Sequence, residues 1–426
     1  MPTSRLNSIP RFALPYTAAD FMAALMALGR PTPPPDAFGL LGPSPKFWTG
    51  SGRQALRLLL TALALKPGTG VALPLFTDPS LVHAIAEAGH RPVFIDIDPC
   101  FLTIDPESLA AASNMFVAVV PVHLFGQLAD MPAVMAIAGK RPVIEDAAHA
   151  PLSCLNGRRA GEFGLASFFS FASTKYWPAG GGGLAMVHDP VLADAFARTA
   201  ASLVLPHRLT ELRNVLMQGA KSAVFRRRCY GFIGKPMRRW AEKWALLEPH
   251  LDLVAIPRPY AAVACRQASV FALRVEFQRA NSLRLLSRLS GVEDVILPVE
   301  RLGARYNYHM FPVLLHDRRE RDAVTAGMWR RHVDTSTIYS GAVEECRRFG
   351  YTGGCPVAES VAARLITLPN YAGLSGDDID RVAEAFLLSL RECRSARSAV
   401  RLEGRRPAGE REVPAPSPIG FTNVDS

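Results

Sequence analysis

The 426-residue sequence has no apolar run that approaches the ~18 residues a membrane-spanning helix requires. Its N-terminus also lacks the basic, apolar and small-residue order of a secretory signal, because Asp20 interrupts its best apolar stretch. The seven cysteines are scattered and odd in number, and none of their spacings is typical of a metal site. We therefore expect a cytoplasmic protein with reduced thiols and no metal centre.

The composition, 49% hydrophobic and 20% charged residues, is typical of a globular enzyme, and the sequence contains no internal repeat. Strand-like and helix-like patterns alternate through the first half, which predicts a mostly parallel sheet covered on both faces. From about Val292 the pattern changes to that of a small α+β domain. The predicted parts are a lead-in at 1–45, a large α/β domain at 46–255, a small domain with its connecting helix at 256–393 and a disordered tail at 394–426.

A short apolar run, FSFASTK, ends at Lys175 and is followed by the glycines Gly180–Gly183. This order is typical of a buried strand that presents a Schiff-base lysine, with glycines that let the backbone approach a planar cofactor. Lysines that follow strands are also common on solvated surfaces, so this pattern alone does not decide between the two interpretations.

The segment VIEDAAHA supplies a second candidate group upstream of Lys175. Val143 and Ile144 indicate a buried parallel strand, and Asp146 lies at its carboxyl end, where open α/β sheets bind ligands. A carboxylate there can pair with the protonated ring nitrogen of pyridoxal phosphate, which also requires a lysine. Taken singly, Asp146 could cap a turn and His149 could be a core histidine. The pair in this order favours the cofactor.

These segments resemble the DegT/DnrJ/StrS family of pyridoxal-phosphate-dependent aminotransferases. The resemblance is carried by SGRQALRLLL at Ser51–Leu60, PVHLFGQLADM at Pro121–Met131, VIEDAAHA, and FSFASTK with GGGGLAM. It covers 48–190 well, fades through 205–255 and returns from about 267 to 390. It implies an aspartate-aminotransferase-like α/β fold of type I, a homodimer, glutamate as amino donor and a keto sugar, nucleotide-linked, as acceptor.

The resemblance also implies roles for individual residues. Lys175 would form the covalent link to pyridoxal phosphate and shuttle a proton, and Asp146 would keep the ring nitrogen protonated. The other predicted cofactor contacts are Gly52, Arg53, Gln54, Phe76, His149 and Ser170. Of these, Arg53 and Gln54 stand where the family usually has threonine and a small residue, so backbone donors would remain but a threonine hydroxyl contact would not. Independently of the family, Ser51–Gln54 opens a helix whose free N–H groups and dipole suit a phosphate, or is simply an ordinary capped helix start. Tyr308, His309 and Tyr339 would border the acceptor, although core packing explains them equally well.

Several positions depart from the family pattern. The usual ring-stacking aromatic is replaced by Asp78. We expect Phe76 to substitute for it; otherwise the stacking is absent, or Asp78 contacts a polar group. Tyr176 stands where asparagine is common, and the family's inter-subunit Gly-x-Asn-x-Arg element is not recognisable, although Arg258–Tyr260 occupies about its place.

Residues 205–250 form an insertion in which arginines and lysines alternate with aromatic residues. Together with the basic tail, this segment carries much of the net charge of +10. The pattern is compatible with peripheral contact to an anionic membrane, with nucleotide phosphates, or with a solvated surface; nucleic acid is not expected.

The predicted function is amino transfer to a nucleotide-linked keto sugar in polysaccharide or glycoconjugate biosynthesis. Two alternatives stay open. One is the same chemistry on a non-sugar ketone or cyclitol. The other is a family member that has lost turnover and acts as a binding or scaffold protein near the membrane.

Overall fold

The computed structural model describes residues 7–236 and 254–403. A mixed sheet of seven strands forms the centre of the large domain, in the order β3-β2-β4-β5-β8-β9-β1. The bridges Val119–Val143 and Val122–Asp146 join its three-stranded and four-stranded parts. The strands are β1 (Lys46–Thr49), β2 (Gly70–Pro74), β3 (Arg91–Ile95), β4 (Ala118–Val119), β5 (Ile144–Asp146), β8 (Ala166–Ser170) and β9 (Gly183–Val187).

All neighbouring strands of this sheet are parallel except those that pair with β9. The predicted mostly parallel α/β sheet is therefore confirmed, with one reversed strand. Strands β2, β5 and β9 consist entirely of buried residues, as expected for a sheet with both faces covered. The helices around it are α1 (Ala18–Ala27), α2 (Gly52–Ala62), α3 (Pro79–Glu87), α4 (Pro106–Ala111), α5 (Met131–Ala138) and α6 (Pro190–Ala200).

The structure also contains a small three-stranded sheet, separate from the large one. Its strands are β6 (Cys154–Leu155), β7 (Arg158–Arg159) and β10 (Ala304–Arg305). The insertion begins with α7 (Arg208–Val224), followed by a short turn at Arg227–Cys229 and a π-helical turn at Tyr230–Gly234. The connecting helix α8 (Arg258–Leu289) follows.

The C-terminal domain packs helices against a two-stranded antiparallel sheet, β11 (Phe311–Leu314) and β12 (Leu365–Leu368). Its helices are α9 (Arg318–Arg330), α10 (Ala342–Arg347), α11 (Pro356–Arg364) and α12 (Gly376–Glu403). The predicted α+β character is thus confirmed. One boundary was wrong: α12 continues to Glu403, so 394–403 are helical rather than part of a disordered tail. The remainder of that predicted tail, 404–426, lies outside the described residues.

The insertion is attached to the C-terminal domain rather than standing free. Arg227 forms an ion pair with Asp378, and the Tyr230 hydroxyl donates to the Asp334 carboxylate. The ammonium group of Lys235 lies 4.0 Å from the centroid of the Trp329 ring. The rest of the basic and aromatic pattern predicted for 205–250, which includes Arg238, Arg239, Trp240, Lys243 and Trp244, lies outside the described residues. Within 7–236 and 254–403, none of the helices is both long and apolar enough to span a bilayer.

A buried carboxylate fixes the strand that leads to the candidate site. Glu145, fully buried, accepts hydrogen bonds from His123 Nε2 and from the backbone N–H groups of Gly161, Phe163 and Gly164, at 2.6–2.9 Å. These four donors tie β5 to the loop before β8 and to the PVHLFGQ segment. Because buried N–H groups are costly when they lack acceptors, Glu145 stabilises the position of its neighbour Asp146.

We predict that Glu145→Gln lowers the free energy of unfolding by roughly 2–4 kcal/mol, because the new amide nitrogen cannot accept from the N–H groups that the lost oxygen served. Urea unfolding of the purified protein would measure the change. Glu107→Gln, an exposed change in α4, is the matched control and should alter stability by less than about 0.5 kcal/mol. Equal stability of both variants would show that the Glu145 network contributes little.

Candidate active site

A cavity of about 340 Å³ lies where β5 and β8 end and α2 begins. Seven of the predicted site residues line it, namely Gly52, Arg53, Asp146, His149, Ser170, Lys175 and Tyr339. Residues that sequence reasoning did not assign to the site complete the wall, among them Thr77, Ala148, Thr174, Met310 and Ile338. The two groups on which the cofactor prediction rests, Lys175 and Asp146, therefore face one cavity.

One end of the cavity is rich in hydrogen-bond donors. Ser51 is the N-cap of α2, and its Oγ accepts from the backbone N–H of Gln54 at 3.2 Å. The cavity meets this helix start at Gly52 and Arg53 and meets β8 at Ser170. The Thr77 hydroxyl is buried beside them and has no hydrogen-bond partner among the described residues. A helix N-terminus, a guanidinium group and hydroxyl groups are together suited to an anion.

A histidine lies next to the lysine. His149 Nε2 is 2.8 Å from Lys175 Nζ, and His149 Nδ1 accepts from the backbone N–H of Phe125 at 3.3 Å. A backbone N–H can only donate, so Nδ1 carries no proton and the proton of the neutral ring is on Nε2. The Nε2–H can donate to Lys175 Nζ only when that amine is unprotonated, because an ammonium group has no lone pair; the Tyr339 hydroxyl, 3.4 Å away, is a second acceptor within reach.

The surroundings keep the His149 ring neutral. Burial lowers its pKa well below the ordinary 6.5, and Lys175 and His309 lower it further. The His309 ring centroid is 4.5 Å from that of His149, and burial together with Lys175 lowers the His309 pKa to about 3. Neither ring nitrogen of His309 has a hydrogen-bond partner among the described residues. Both rings are therefore neutral at physiological pH.

Asp146 is a buried carboxyl that lacks a strong cationic partner. Burial raises its pKa from 3.8 to about 6, and nearby Asp78 adds to this, while Lys175 and a 2.9 Å hydrogen bond from the Ala148 N–H oppose it. A cation placed against this carboxyl would favour its ionised form. The chemistry of the cavity lining is thus suited to an anion at the α2 end and to a cation at the Asp146 end.

The glycines after Lys175 pack against Tyr260 rather than against the predicted cofactor. A Cβ on Gly180 or Gly181 would lie 2.6–2.7 Å from ring carbons of Tyr260 at the start of α8. These glycines therefore allow the loop after Lys175 to pack against Tyr260; an approach to the cofactor is not what requires them. Arg258 is held by Glu211 on α7 at 2.8 Å, so the place of the missing inter-subunit element is occupied by an intrachain ion pair.

Four predicted residues do not line the cavity; they are Phe76, Gln54, Tyr308 and His309, the last of which lines a second, adjoining cavity. Phe76 is fully buried between Phe125 and Tyr339, so it cannot stack on a ring in the cavity. Gln54 is buried, and its side chain accepts from the Gly50 N–H. Tyr308 lies in the core beneath the guanidinium of Arg279.

Asp78, which replaces the usual aromatic, lines the cavity and accepts from the Ser80 N–H at the start of α3. The alternative prediction, that Asp78 contacts a polar group, is thus met by a backbone amide. Thr77 and Thr174 could have been assigned to the site from the sequence, because each is next to a residue considered for it, Phe76 and Lys175. The sequence analysis did not use this adjacency.

A second cavity of about 770 Å³ adjoins the first. The two share Thr174, Lys175, Met310 and Ile338 in their walls, and His309 faces the second. Three arginines, Arg11, Arg266 and Arg274, line the second cavity together with an apolar stripe of α8. Lys175 therefore stands between a small polar cavity and a larger one.

The sequence matches the DegT/DnrJ/EryC1/StrS aminotransferase family model over 47–232 and 254–387. It is 31% identical over 357 residues to the UDP-N-acetyl-3-dehydro-alpha-D-glucosamine 3-aminotransferase of Acidithiobacillus ferrooxidans, covering 83% of this chain and 86% of that one. It is 30% identical over 349 residues to the pleiotropic regulatory protein of Geobacillus stearothermophilus, covering 79% and 84%.

Among solved structures, the aminotransferase TlmJ from Streptoalloteichus hindustanus superposes with a TM-score of 0.73 at 24% identity, over 90% of this chain and 99% of that one. This likeness supports the fold of type I predicted from the sequence. With the matched model spanning most of the chain, the protein belongs to the DegT/DnrJ/EryC1/StrS aminotransferase family.

Proposed function

We propose that this pyridoxal-phosphate-dependent aminotransferase moves an amino group from glutamate to a keto sugar carried on a nucleotide. The observation that carries the proposal is the single cavity lined by Lys175 and Asp146, with the start of α2 at its other end. A catalytically lapsed scaffold would have no need to keep these three features together.

The residues present fit pyridoxal phosphate. Its phosphate would be held by the first N–H groups of α2 with Arg53 and Ser170, and its ring nitrogen would face Asp146. The unpartnered Thr77 hydroxyl gains an acceptor in this arrangement. When bound, the group supplies an aldehyde that takes up the amino group and a cationic ring that spreads negative charge.

The chain's own groups would then divide the work. Lys175 Nζ carries a proton away from the α-carbon of the donor and is close enough to His149 to be oriented by it. His149 offers its Nε2–H as a donor in a water-poor site, and the Asp146 carboxylate holds the positive charge of the ring.

The second cavity is the proposed acceptor site, because it reaches Lys175 from the side away from α2. Its three guanidinium groups outnumber the one carboxylate, Asp20, which is already paired with Arg266 at 3.1 Å. This charge suits an anionic diphosphate. The name of the Acidithiobacillus relative specifies a UDP-linked dehydro sugar, which supports the same class of acceptor here.

The homodimer, the glutamate donor and contact of 205–250 with a membrane are part of the proposal. The first two rest on the family resemblance and the third on the basic composition of the insertion. A cytoplasmic location is supported by the seven cysteines, all of which are free thiols.

We predict that glutamate bleaches the near-visible band of the cofactor-loaded protein and that a UDP-linked keto sugar restores it. Lys175→Ala should lack the band and lose turnover by ~10³-fold or more, whereas exposed Lys140→Ala should behave as wild type. Absorbance spectra and product analysis would check both. Restoration only by a non-sugar ketone would favour the other acceptor class, and no response to glutamate would favour the scaffold.

For Asp146→Asn we predict opposite effects on stability and activity. Because folding raises the pKa of Asp146 from 3.8 to about 6, the ionised carboxylate destabilises the cofactor-free fold, and this cost is complete above about pH 6. Below about pH 4 the carboxyl group is protonated in both the folded and the unfolded chain, so the cost vanishes. At pH 8 the variant should therefore be more stable, by on the order of 2 kcal/mol. Turnover should fall by roughly 10²–10³. Thermal melting at pH 8 and pH 4.5 with matched kinetics would measure this, and a less stable variant at pH 8 would contradict the assignment.

The tautomer of His149 predicts which substitutions are tolerated. In His149→Gln, Oε1 can accept from the Phe125 N–H while Nε2 donates, so turnover should stay within about threefold of wild type. His149→Leu should lose about 10–100-fold. Because His149 is neutral throughout, the Gln variant should leave the pH dependence of turnover between pH 6 and 8 unchanged. Loss of a titration step in that range would show that the ring ionises.

A further inference from the structure

A third cavity, of about 350 Å³, lies between α7 and the start of α8 and shares no lining residue with the cofactor cavity or the acceptor cavity. Its lining consists of Arg213, Asn214, Met217, Gln218, Lys221 and Tyr260. The five residues from α7 recur at helical spacing, so they form one face. We refer to this space as the α7 cavity.

Hydrogen-bond donors dominate the α7 cavity. It presents a guanidinium group, an ammonium group, two side-chain amides and a phenol, and no carboxylate among the described residues. Burial raises the pKa of Tyr260 to about 12, against the opposing effect of Arg213, so its hydroxyl remains a donor. Neither Arg213 nor Lys221 forms an ion pair with a described residue. The cavity is therefore positively charged and lacks an internal counter-ion within this part of the chain.

A buried amide provides an independent indication of a ligand. Gln218 is 2% exposed, and its Oε1 accepts from the Ser173 hydroxyl at 2.9 Å. That bond leaves Nε2 as the free end, and Nε2 has no acceptor among the described residues. Buried amide donors without acceptors are costly, and an anion in the α7 cavity would supply the missing acceptor.

We propose that the α7 cavity binds the oxyanion of a phosphate ester. Arg213 and Lys221 supply charge, while the amides of Gln218 and Asn214 and the Tyr260 hydroxyl supply directed donors. Two residues of the α7 cavity also contact the loop that carries Lys175. Gln218 accepts a hydrogen bond from Ser173, two residues before Lys175, and Tyr260 packs on Gly180 and Gly181.

Two sources could provide this oxyanion: a soluble diphosphate, or the headgroup of an anionic lipid. The second is suggested by Leu209, Leu216 and Met217, which are 70%, 54% and 53% exposed on α7 beside the same cations. The chemistry at the cavity is the same in both cases, so one set of variants tests the site and separate ligands identify the source.

The test uses the cofactor-loaded full chain, in which the phosphate turn at α2 is already filled. Calorimetric titration with inorganic pyrophosphate and with UDP should show, besides binding at the proposed acceptor cavity, a second class of site that Arg213→Gln weakens about tenfold, since one charge-assisted hydrogen-bonding group is lost. Arg208→Gln, which removes the same charge from α7 outside the cavity, should stay within about twofold. Gln218→Glu keeps the acceptor for Ser173 but puts a carboxylate in the α7 cavity, and it should abolish binding to the second class of site while leaving that at the acceptor cavity, with thermal melting to confirm a folded protein.

Sedimentation with phosphatidylglycerol and phosphatidylcholine vesicles distinguishes the source. Binding to the anionic vesicles that depends on Arg213 assigns the site to a lipid headgroup, and Arg213-dependent binding of UDP or pyrophosphate assigns it to a soluble diphosphate. Equal behaviour of wild type, Arg213→Gln and Gln218→Glu toward all of these ligands would overturn the proposal. None of the measurements depends on turnover, so failure here is separate from failure of the proposed aminotransferase reaction.

Discussion

The hydrogen bond from the backbone N–H of Phe125 to His149 Nδ1 is the constraint on which the arrangement of the site depends. Phe125 is in the left-handed region, with φ of 59°, and its carbonyl accepts from the Met310 N–H. A side chain on the next residue, Gly126, would collide with the Asn307 amide oxygen. The sequence of the PVHLFGQ segment therefore has a physical role: it positions the backbone N–H of Phe125 so that it donates to His149 Nδ1.

Local patterns were sufficient for the order of strands and helices and for the pairing of Lys175 with Asp146. Asp146 is the last residue of β5, and Lys175 follows β8. Because the carboxyl ends of neighbouring parallel strands meet at one edge of the sheet, the proximity of the two groups follows from strand order. The mixed sheet, with β9 reversed, could not be read from the run GLAMV, because an apolar strand has the same composition in either direction.

The errors arose where a residue's role is decided by a distant partner. Phe76 looked available for ring stacking, but Phe125 and Tyr339 enclose it, and they are 49 and 263 residues further along the chain. The glycines after Lys175 accommodate Tyr260, and Gln54 serves Gly50. The prediction for 394–403 was wrong because an Arg-rich composition is also compatible with an exposed helix. Arg394 pairs with Glu320 on α9, and Arg397 pairs with Asp317, the N-cap of α9.

The attachment of the insertion to the C-terminal domain has a mechanical consequence. Enzymes with two domains around a cleft commonly open and close by hinge rotation. Here α7 leaves the large domain, and its continuation is bonded to Asp334, Trp329 and Asp378 of the C-terminal domain. A rotation that separated the domains would have to break three contacts together: a buried phenol–carboxylate hydrogen bond, a cation–π contact and an ion pair. The insertion therefore opposes separation of the two domains.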